Sequence, residues 1–474
     1  MNFKKSYKSA NGYTLISKIG ESTLKKLEFG IIELEKGQKL PFYTDDKEFA
    51  FIMLEGHCDV EVNDDTILIF EYYTASGTDD PAIISEAEEI VRSIVLDLKD
   101  EDICVLVSKQ FEHIFDDFDF DIKIIAIDEG LYEWLEMNAS VFNRALFVSS
   151  ENDMNLYRLT KLLESKQVKL YTSSSYAVKL ASDKFETFDY LNKRVPQPKT
   201  YNILINPKTY WKRAIQLFFD GINGDYDDES GEYALPLFKR PKDVPVVDES
   251  DMDVVKEHKL IAKPRFGVDC ENLKIIETKR NIDELEEIYE PGSRFVVQEF
   301  IEGDVCSVSL ISNGRKALPI SFNKQIVEIN ENGGQYVGGY VPFEHPLKEE
   351  AFKIAKKACE MLPGLQGFVG VDLIINNEEE KVYLIELNSR FTTSYVGLQK
   401  IADFNIAKSV IDLIDKKITI EDLEKNVSYD GKVSFLKDEN GILDIKVENE
   451  KVFIILLNKK SCLSKNNKYL GGMR

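Results

Sequence analysis

Gly367–Arg390, GFVGVDLIINNEEEKVYLIELNSR, decides how this chain reads. Two apolar, β-branched runs flank the polar turn NNEEE, a strand–turn–strand pattern. Asp372 lies in the first run; Glu386, Asn388 and Arg390 close the second. Alternate residues of a strand share a face. Glu386, Asn388 and Arg390 therefore project together, and a hairpin brings Asp372 opposite them. Two carboxylates and a carboxamide on one sheet face make an oxygen-ligand set for a hard cation, Mg²⁺ or Mn²⁺, of the kind shared with substrate phosphates. The plainer reading is an exposed hairpin with solvated charges. It fits poorly with acids embedded in VDLII and YLIEL, which would be buried without partners.

Two upstream segments extend the pattern. His258–Leu273, HKLIAKPRFGVDCENL, reads as a strand ending in Lys263 and Pro264, a turn around Gly267, then a second strand. A lysine leaving a strand beside a glycine loop suits a triphosphate, offering a point charge and backbone N–H donors. Arg294–Ile311, RFVVQEFIEGDVCSVSLI, runs from one strand through Gln298, Glu299, Phe300 and Ile301 to Asp304 and a second strand. A crossing of this kind offers backbone groups to an adenine edge, around Gln298, Glu299 and Ile301, and a carboxylate, Asp304, to a ribose. Each piece alone is common; their order is specific.

That order resembles the ATP-grasp superfamily of carboxylate–amine ligases. Within it, residues 66–435 are similar to the tyramine–L-glutamate ligase family of methanofuran biosynthesis. ILIFEYYTASG, the SDK at Ser182–Lys184, AKPRFGVDCENL, SFNKQ, GGYVPFEHP and LIELNSRFTTSYVGL carry the likeness. The resemblance implies ATP as co-substrate, an acyl phosphate intermediate, and Lys184 as a second lysine reaching the phosphates. A solvated helix lysine is the competing reading of Lys184. Arg390, two residues past Asn388, is placed to hold the carboxylate or the leaving phosphate, and Lys263 to neutralise phosphate oxygens. The loop after Lys263 has a single small residue, Gly267, beside bulky Phe266, which makes its contact with phosphate thinner than in many grasp enzymes.

Composition narrows the partners. A formal charge of −23 on 474 residues argues against nucleic acid and anionic membranes. The expected partners are ATP and small carboxylate and amine substrates, with a homodimer allowed for. Six scattered cysteines form no C-x-x-C pair, which fits a reducing cytoplasm and no zinc site. No apolar run approaches a membrane span.

The expected fold is a multidomain α/β and α+β chain: an ATP-grasp fold preceded by a Rossmann-like pre-grasp domain and a short β-rich N-terminal segment. Residues 1–65 read as closely spaced strands resembling the N-terminal part of 5-deoxyglucuronate isomerase, a cupin. His57 is the one histidine there, so no isomerase site carries over; the alternative functions are an ATP-grasp ligase for another amino acid–amine pair, or a cupin-type 5-deoxyglucuronate isomerase. Residues 66–181 alternate strand and helix, with a Ser85/Glu88 capping box expected in the first long helix. Binding elements there are expected past the strand ends, at Glu71–Gly77, Glu129 and Ser149–Asn152, with ordinary turn chemistry an equal reading. Residues 182–258 open the grasp domains with a helix capped by Asp183 and an acidic insertion. Residues 259–347 are expected as the lid, with a Gly- and Asn-rich loop; 348–457 as the metal-binding part; 458–474 as a polar tail.

Overall fold

The computed structural model describes residues 12–17, 29–36, 54–56, 66–205, 211–219, 259–267, 272–330 and 333–448. The chain divides into two compact units, residues 1–61 and 62–474. In the first, β1 (Gly12–Ser17) and β2 (Phe29–Glu33) pair antiparallel. His57 and most of the cupin-like segment lie outside the described residues, as do Cys270, the acidic insertion 220–258 and the tail.

The second unit opens on ILIFE, which is β3 (Ile67–Glu71), buried at every position. A strand buries wholly only when neighbours flank it and helices cover both faces. Next come α1 (Tyr72–Ser76), α2 (Pro81–Asp97), β4 (Ile103–Ser108), β5 (Lys123–Ile127), α3 (Leu131–Asn138), β6 (Arg144–Val148), α4 (Asn155–Ser165) and β7 (Lys169–Leu170). The five strands form a parallel sheet in the order β5–β4–β3–β6–β7, the expected Rossmann-like domain. The chain leaves β3 in one direction and returns on its other side at β6. The carboxyl ends of β3 and β6 thus flank a topological switch point, where such sheets bind ligands. The capping expectation fails in one detail. α2 starts at Pro81, where Asp80 accepts from the Ala82 N–H at 3.0 Å. Proline at the first position presets the helical φ, so the helix begins upstream of Ser85, whose hydroxyl instead accepts from the Leu443 N–H at 2.9 Å.

After α5 (Ser175–Ser182) comes α6 (Lys184–Leu191), capped by Asp183 as expected: its carboxylate accepts from Phe185 and Glu186 N–H at 3.1 and 3.2 Å. A small domain follows: β8 (Thr200–Leu204), α7 (Trp211–Phe219), β9 (Leu260–Pro264), β10 (Lys274–Ile276), α8 (Lys279–Ile288) and β11 (Arg294–Glu299), with sheet order β10–β9–β11–β8. The large sheet uses β12 (Asp304–Asn313), β13 (Ala317–Asn330), β14 (Gly333–Val341), β15 (Gln366–Asn376), β16 (Lys381–Asn388), β17 (Lys432–Lys437) and β18 (Leu443–Glu448). All its pairs are antiparallel, in the order β16–β15–β12–β13–β14–β17–β18. Its helices are α9 (Lys348–Met361), α10 (Thr393–Ile401), α11 (Ile406–Ile414) and α12 (Ile420–Glu424). Val308, Leu310, Val369, Val371 and Leu373 pack under α9, while α10, α11 and α2 share a second core with β3 and β4. No helix among the described residues is long and apolar enough to cross a membrane.

The sheets draw the subdomains differently from the sequence boundaries. The small sheet spans Thr200–Glu299, and β12–β14 belong with the hairpin that bears Asp372 and Glu386. Both pairings are non-local, β8 with β11 and β12 with β15, so no local signal marks them. The stretch expected as a Gly- and Asn-rich loop is the hairpin β13–β14. Its glycines serve close packing: Gly338 has φ +129°, and a Cβ there would lie 2.1 Å from the Phe435 carbonyl oxygen of β17. Gly338→Ala should therefore destabilise the second unit by roughly 2–3 kcal/mol, combining overpacking with an unfavourable φ. A lowered thermal midpoint checks this; an unchanged one would mean β17 moves aside freely.

Candidate active site

The large sheet presents one polar face. Asp372 pairs directly with Glu386 across β15 and β16, and Asn388 pairs with Gly370. Asp372 is also opposite Ser307 of β12. Asn388 Nδ2 donates to Asp372 Oδ2 at 2.9 Å, and Gln325 Nε2 of β13 donates to Oδ1 at 2.8 Å. Burial, then the facing Glu386 charge, push the Asp372 carboxyl up to about 6, against those two hydrogen bonds and Arg390. The expected juxtaposition of Asp372, Glu386 and Asn388 is thus present. Next to it lies a floor of short polar side chains. Asn323 donates to Ser307 and Ser309 at 3.2 and 3.0 Å and accepts from Ser321 at 2.6 Å. Ser309 meets Ser394 at 3.2 Å, and Ser394 meets Thr392 at 2.9 Å.

Lys184 joins three parts of the site. Its Nζ donates to Glu386 Oε1 and to the Gly267 carbonyl, both at 2.8 Å, and its own N–H donates to the Arg265 carbonyl at 3.0 Å. The ordinary reading of a solvated helix lysine does not survive, since the side chain is almost fully buried. Arg265 forms a two-pronged ion pair with Asp183. SDK and PRF, far apart in sequence, therefore clasp each other and fix the loop after β9 to the start of α6. Lys263 is buried near the end of β9, opposite Val296. Gly267, at φ +133°, is the turn residue.

The strand crossing is built differently from the expectation. The Gln298 carboxamide donates to the Thr200 hydroxyl at 2.7 Å, inside the small sheet. The Glu299 carboxylate accepts from the Lys199 N–H at 3.1 Å and lies 3.5 Å from its Nζ. Ile301 is half-buried. Asp304 is placed away from the Asp372 face. The β12 register runs unbroken from Asp304 to Asn313 opposite β15, so alternation sets Asp304 with Cys306 and Val308 on the opposite face from Ser307. There it pairs with Lys324 at 2.6 Å and accepts from Asn377 at 2.8 Å. Lys324, with Asn377 and His345, outweighs burial and keeps its carboxyl below the usual range. The apolar pair on the Asp372 face is instead Val305 opposite Ile374, both half-buried. Their signal in sequence is the alternation that also places Ser307 and Asp372.

Arg390 turns toward the parallel sheet. Its Nε donates to both oxygens of Glu151, at 2.9 and 3.1 Å. Glu151 belongs to Ser149–Asn152, one of the strand-end loops expected to bind. Glu86 of α2 pairs with Lys437 of β17 at 2.8 Å and accepts from the Thr393 hydroxyl. Although burial opposes it, Lys437 first, then Thr393 and Arg390, hold the Glu86 carboxyl below its ordinary value. Glu86 and Lys437 have no local motif and only the three-dimensional arrangement shows them, while Glu151 lies in the expected Ser149–Asn152 loop and Gln325 in SFNKQ, neither with a role assigned from sequence. In FTTSYVGL the rings serve the core: Phe391 stacks on Phe368, centroids 4.8 Å apart, and the Tyr395 hydroxyl donates to Asp97 at 3.0 Å.

Residues 237–394 match the model of the ATP-grasp domain. The chain is 31% identical over 338 residues to tyramine–L-glutamate ligase of Methanocaldococcus fervens, covering 70% of this chain and 89% of that one. It is 29% identical over 365 residues to the enzyme of the same name from Methanocaldococcus jannaschii, covering 76% and 92%. Among solved structures, an ATP-grasp superfamily protein from Archaeoglobus fulgidus superposes with a TM-score of 0.53 at 22% identity, covering 81% of this chain and 98% of that one.

Glu71, at the end of β3, is 3% exposed, and burial pushes its carboxyl up to about 7 from 4.5. Between these values the folded state keeps a proton that the unfolded chain has released. Stability from this group is therefore greatest below about pH 4.5 and is lost as pH rises toward 7. Glu71→Gln keeps a side-chain oxygen for the Thr74 N–H and removes the titration. Its stability relative to the unmodified chain should rise from pH 5 to 8, by at most about 3 kcal/mol. Denaturant titrations across that range check it; a pH-independent difference contradicts it.

Proposed function

This chain belongs to the ATP-grasp ligases, in the family of tyramine–L-glutamate ligase, and on that footing we propose that it joins L-glutamate to tyramine. It is an ATP-dependent carbon–nitrogen ligase. A carboxylate does not acylate an amine at neutral pH because its oxygen leaves poorly. Transfer of the γ-phosphoryl group of ATP to that oxygen creates an acyl phosphate, and amine attack at the carbonyl carbon then releases phosphate. Such transfer needs alignment and charge neutralisation more than covalent help.

The observation that carries the reading is the Asp372–Glu386–Asn388 face, bridged by Lys184 to the Gly267 loop. Its donors fit a hard cation: two carboxylates, and a carboxamide whose oxygen is left over after its nitrogen bonds Asp372. Asp372, Glu386 and Asn388 would hold Mg²⁺ or Mn²⁺, which when bound neutralises phosphate charge. Lys263 and Lys184 balance the phosphate oxygens that arrive beside the β9 loop. The crossing at Gln298–Ile301 offers backbone groups to the adenine, with Val305 and Ile374 as its apolar wall; Asp304 takes no part. Arg390, anchored by Glu151 and donating to the Phe391 carbonyl at 3.3 Å, is the cation nearest to hand for the carboxylate being activated. The partly exposed Thr392 hydroxyl, backed by buried Ser394 and Ser309, supplies a polar group for the acceptor, and closure of the small domain excludes water that would hydrolyse the acyl phosphate.

Asp372→Asn and Glu386→Gln change charge with little change of shape. Each should lower ADP release by ~10²–10³-fold; near-normal turnover in both variants would remove them from the metal site. The substrates are tested by incubating the enzyme with ATP, Mg²⁺, L-glutamate and a series of amines. The γ-glutamyl amide of tyramine should dominate by mass spectrometry, with simple alkylamines poorer, since they leave a hydroxyl-pairing site unmatched. If another acid–amine pair is joined readily and tyramine is not, the ligase stands and its substrates are different.

A further inference from the structure

Three buried or nearly buried carboxylates of the pre-grasp domain face the junction with the large sheet, and two meet a cation directly. Glu151 pairs with Arg390 at 2.9 Å and Glu86 with Lys437 at 2.8 Å. Glu71 is the third. Its Oε2 accepts from the Thr74 N–H at 2.9 Å, and among the described residues no Lys, Arg or His side chain is paired with it. The charged group in its field is Glu86, of the same sign. A carboxylate this deeply buried without a cation is costly to keep ionised, and α1 needs only an acceptor at its cap, which a neutral side chain supplies.

Its position gives that cost a use. Glu71 ends β3 at the switch point, in register with Val148 at the end of β6. The chain continues from Val148 through Ser149 and Ser150 to Glu151, which grips Arg390. Tyr73, two residues past Glu71, places its hydroxyl 3.1 Å from the Ser150 hydroxyl, tying the two strand ends together. One short loop therefore separates a guanidinium that suits a carboxylate from a carboxylate that lacks a cation.

We propose that Glu71 is the base of the second half-reaction, receiving the ammonium group of the amine substrate and taking one of its protons. This rests on the ligase reading above. The amine attacks the acyl carbonyl carbon, the C–O bond to phosphate breaks, and the second proton lost from nitrogen leaves with the phosphate as HPO₄²⁻. One carboxylate thus becomes a carboxylic acid for each amide formed and is reset by solvent. The groups facing it are the backbone N–H groups of Tyr73 and Thr74 and the Thr74 hydroxyl of α1, and the Glu86 carboxylate of α2. A value of about 7 suits proton transfer near neutrality.

The test is Glu71→Gln in the full chain, assayed with ATP, Mg²⁺ and L-glutamate against two nucleophiles. Hydroxylamine is uncharged at neutral pH and traps an acyl phosphate without a base; tyramine arrives as an ammonium ion. Hydroxamate formation should be unchanged, while tyramine coupling falls ~10²–10⁴-fold at saturating amine, the usual contribution of a positioned base. Tyramine coupling that survives within a few fold overturns the proposal. So does a parallel loss of both products, which would make Glu71 a structural cap. If the unsubstituted enzyme makes the hydroxamate but no tyramine amide, the substrate assignment falls and this role with it. If it makes neither, the ligase reading is the one that fails.

Discussion

Asp372 opposite Glu386 is the constraint around which this molecule is organised. Like charges directly across an antiparallel pair repel, and burial makes that worse. The surrounding structure answers from four directions. Asn388 comes from the same strand as Glu386, Gln325 from β13, and Lys184 from the start of α6. Arg390 adds its field from the turn after β16. What remains is a sheet face of incompletely balanced negative charge, which suits a divalent cation carrying a polyphosphate.

That charge also explains how the subdomains are tied. Lys184 cannot reach Glu386 unless α6 begins beside β16, and Asp183 fixes that beginning by capping α6 and pairing with Arg265. The same lysine reads the Gly267 carbonyl, so the loop after β9 is held by the residue that balances the acids. On the other side, Arg390 couples the carboxylate face to the switch point of the parallel sheet through Glu151. The site lies where the parallel sheet, the small sheet's β9 loop and the large sheet meet, held there by Glu151–Arg390 and by Lys184.

Much of this was legible because it is local. Period-two alternation placed Asp372, Glu386 and Asn388 on one face, and the Asp183 cap follows from SDK ahead of an apolar-periodic helix. Strand-end logic points to Ser149–Asn152, the loop in which Glu151 holds Arg390. What failed was non-local or depended on parity. Asp304 sits three residues before Ser307, an odd step, so it belongs to the other face although the motif order made it attractive. The β13–β14 hairpin was hidden by its glycines, which read as loop signals but serve the close approach of β17. The sheet pairings cross the expected subdomain boundaries because β8 and β12 each find a partner far along the chain. Glu86 and Lys437 come from opposite ends of the second unit, and nothing in either neighbourhood announces the other.

The hydroxyl floor beside the acids has a property that its heavy atoms alone do not display. Thr392, Ser394 and Ser309 lie in a row, and at both links either oxygen is able to donate. Such a row has two hydrogen orderings on one set of atomic positions. Ser394 and Ser309 are buried and Thr392 at the end of the row is partly exposed, so reversing the row changes whether that one hydroxyl presents a proton or a lone pair. In the proposed ligase reaction, which turns an anionic oxygen into an amide nitrogen, a hydroxyl of reversible polarity would suit both ends of the transformation, where a fixed donor such as an arginine would suit only the first.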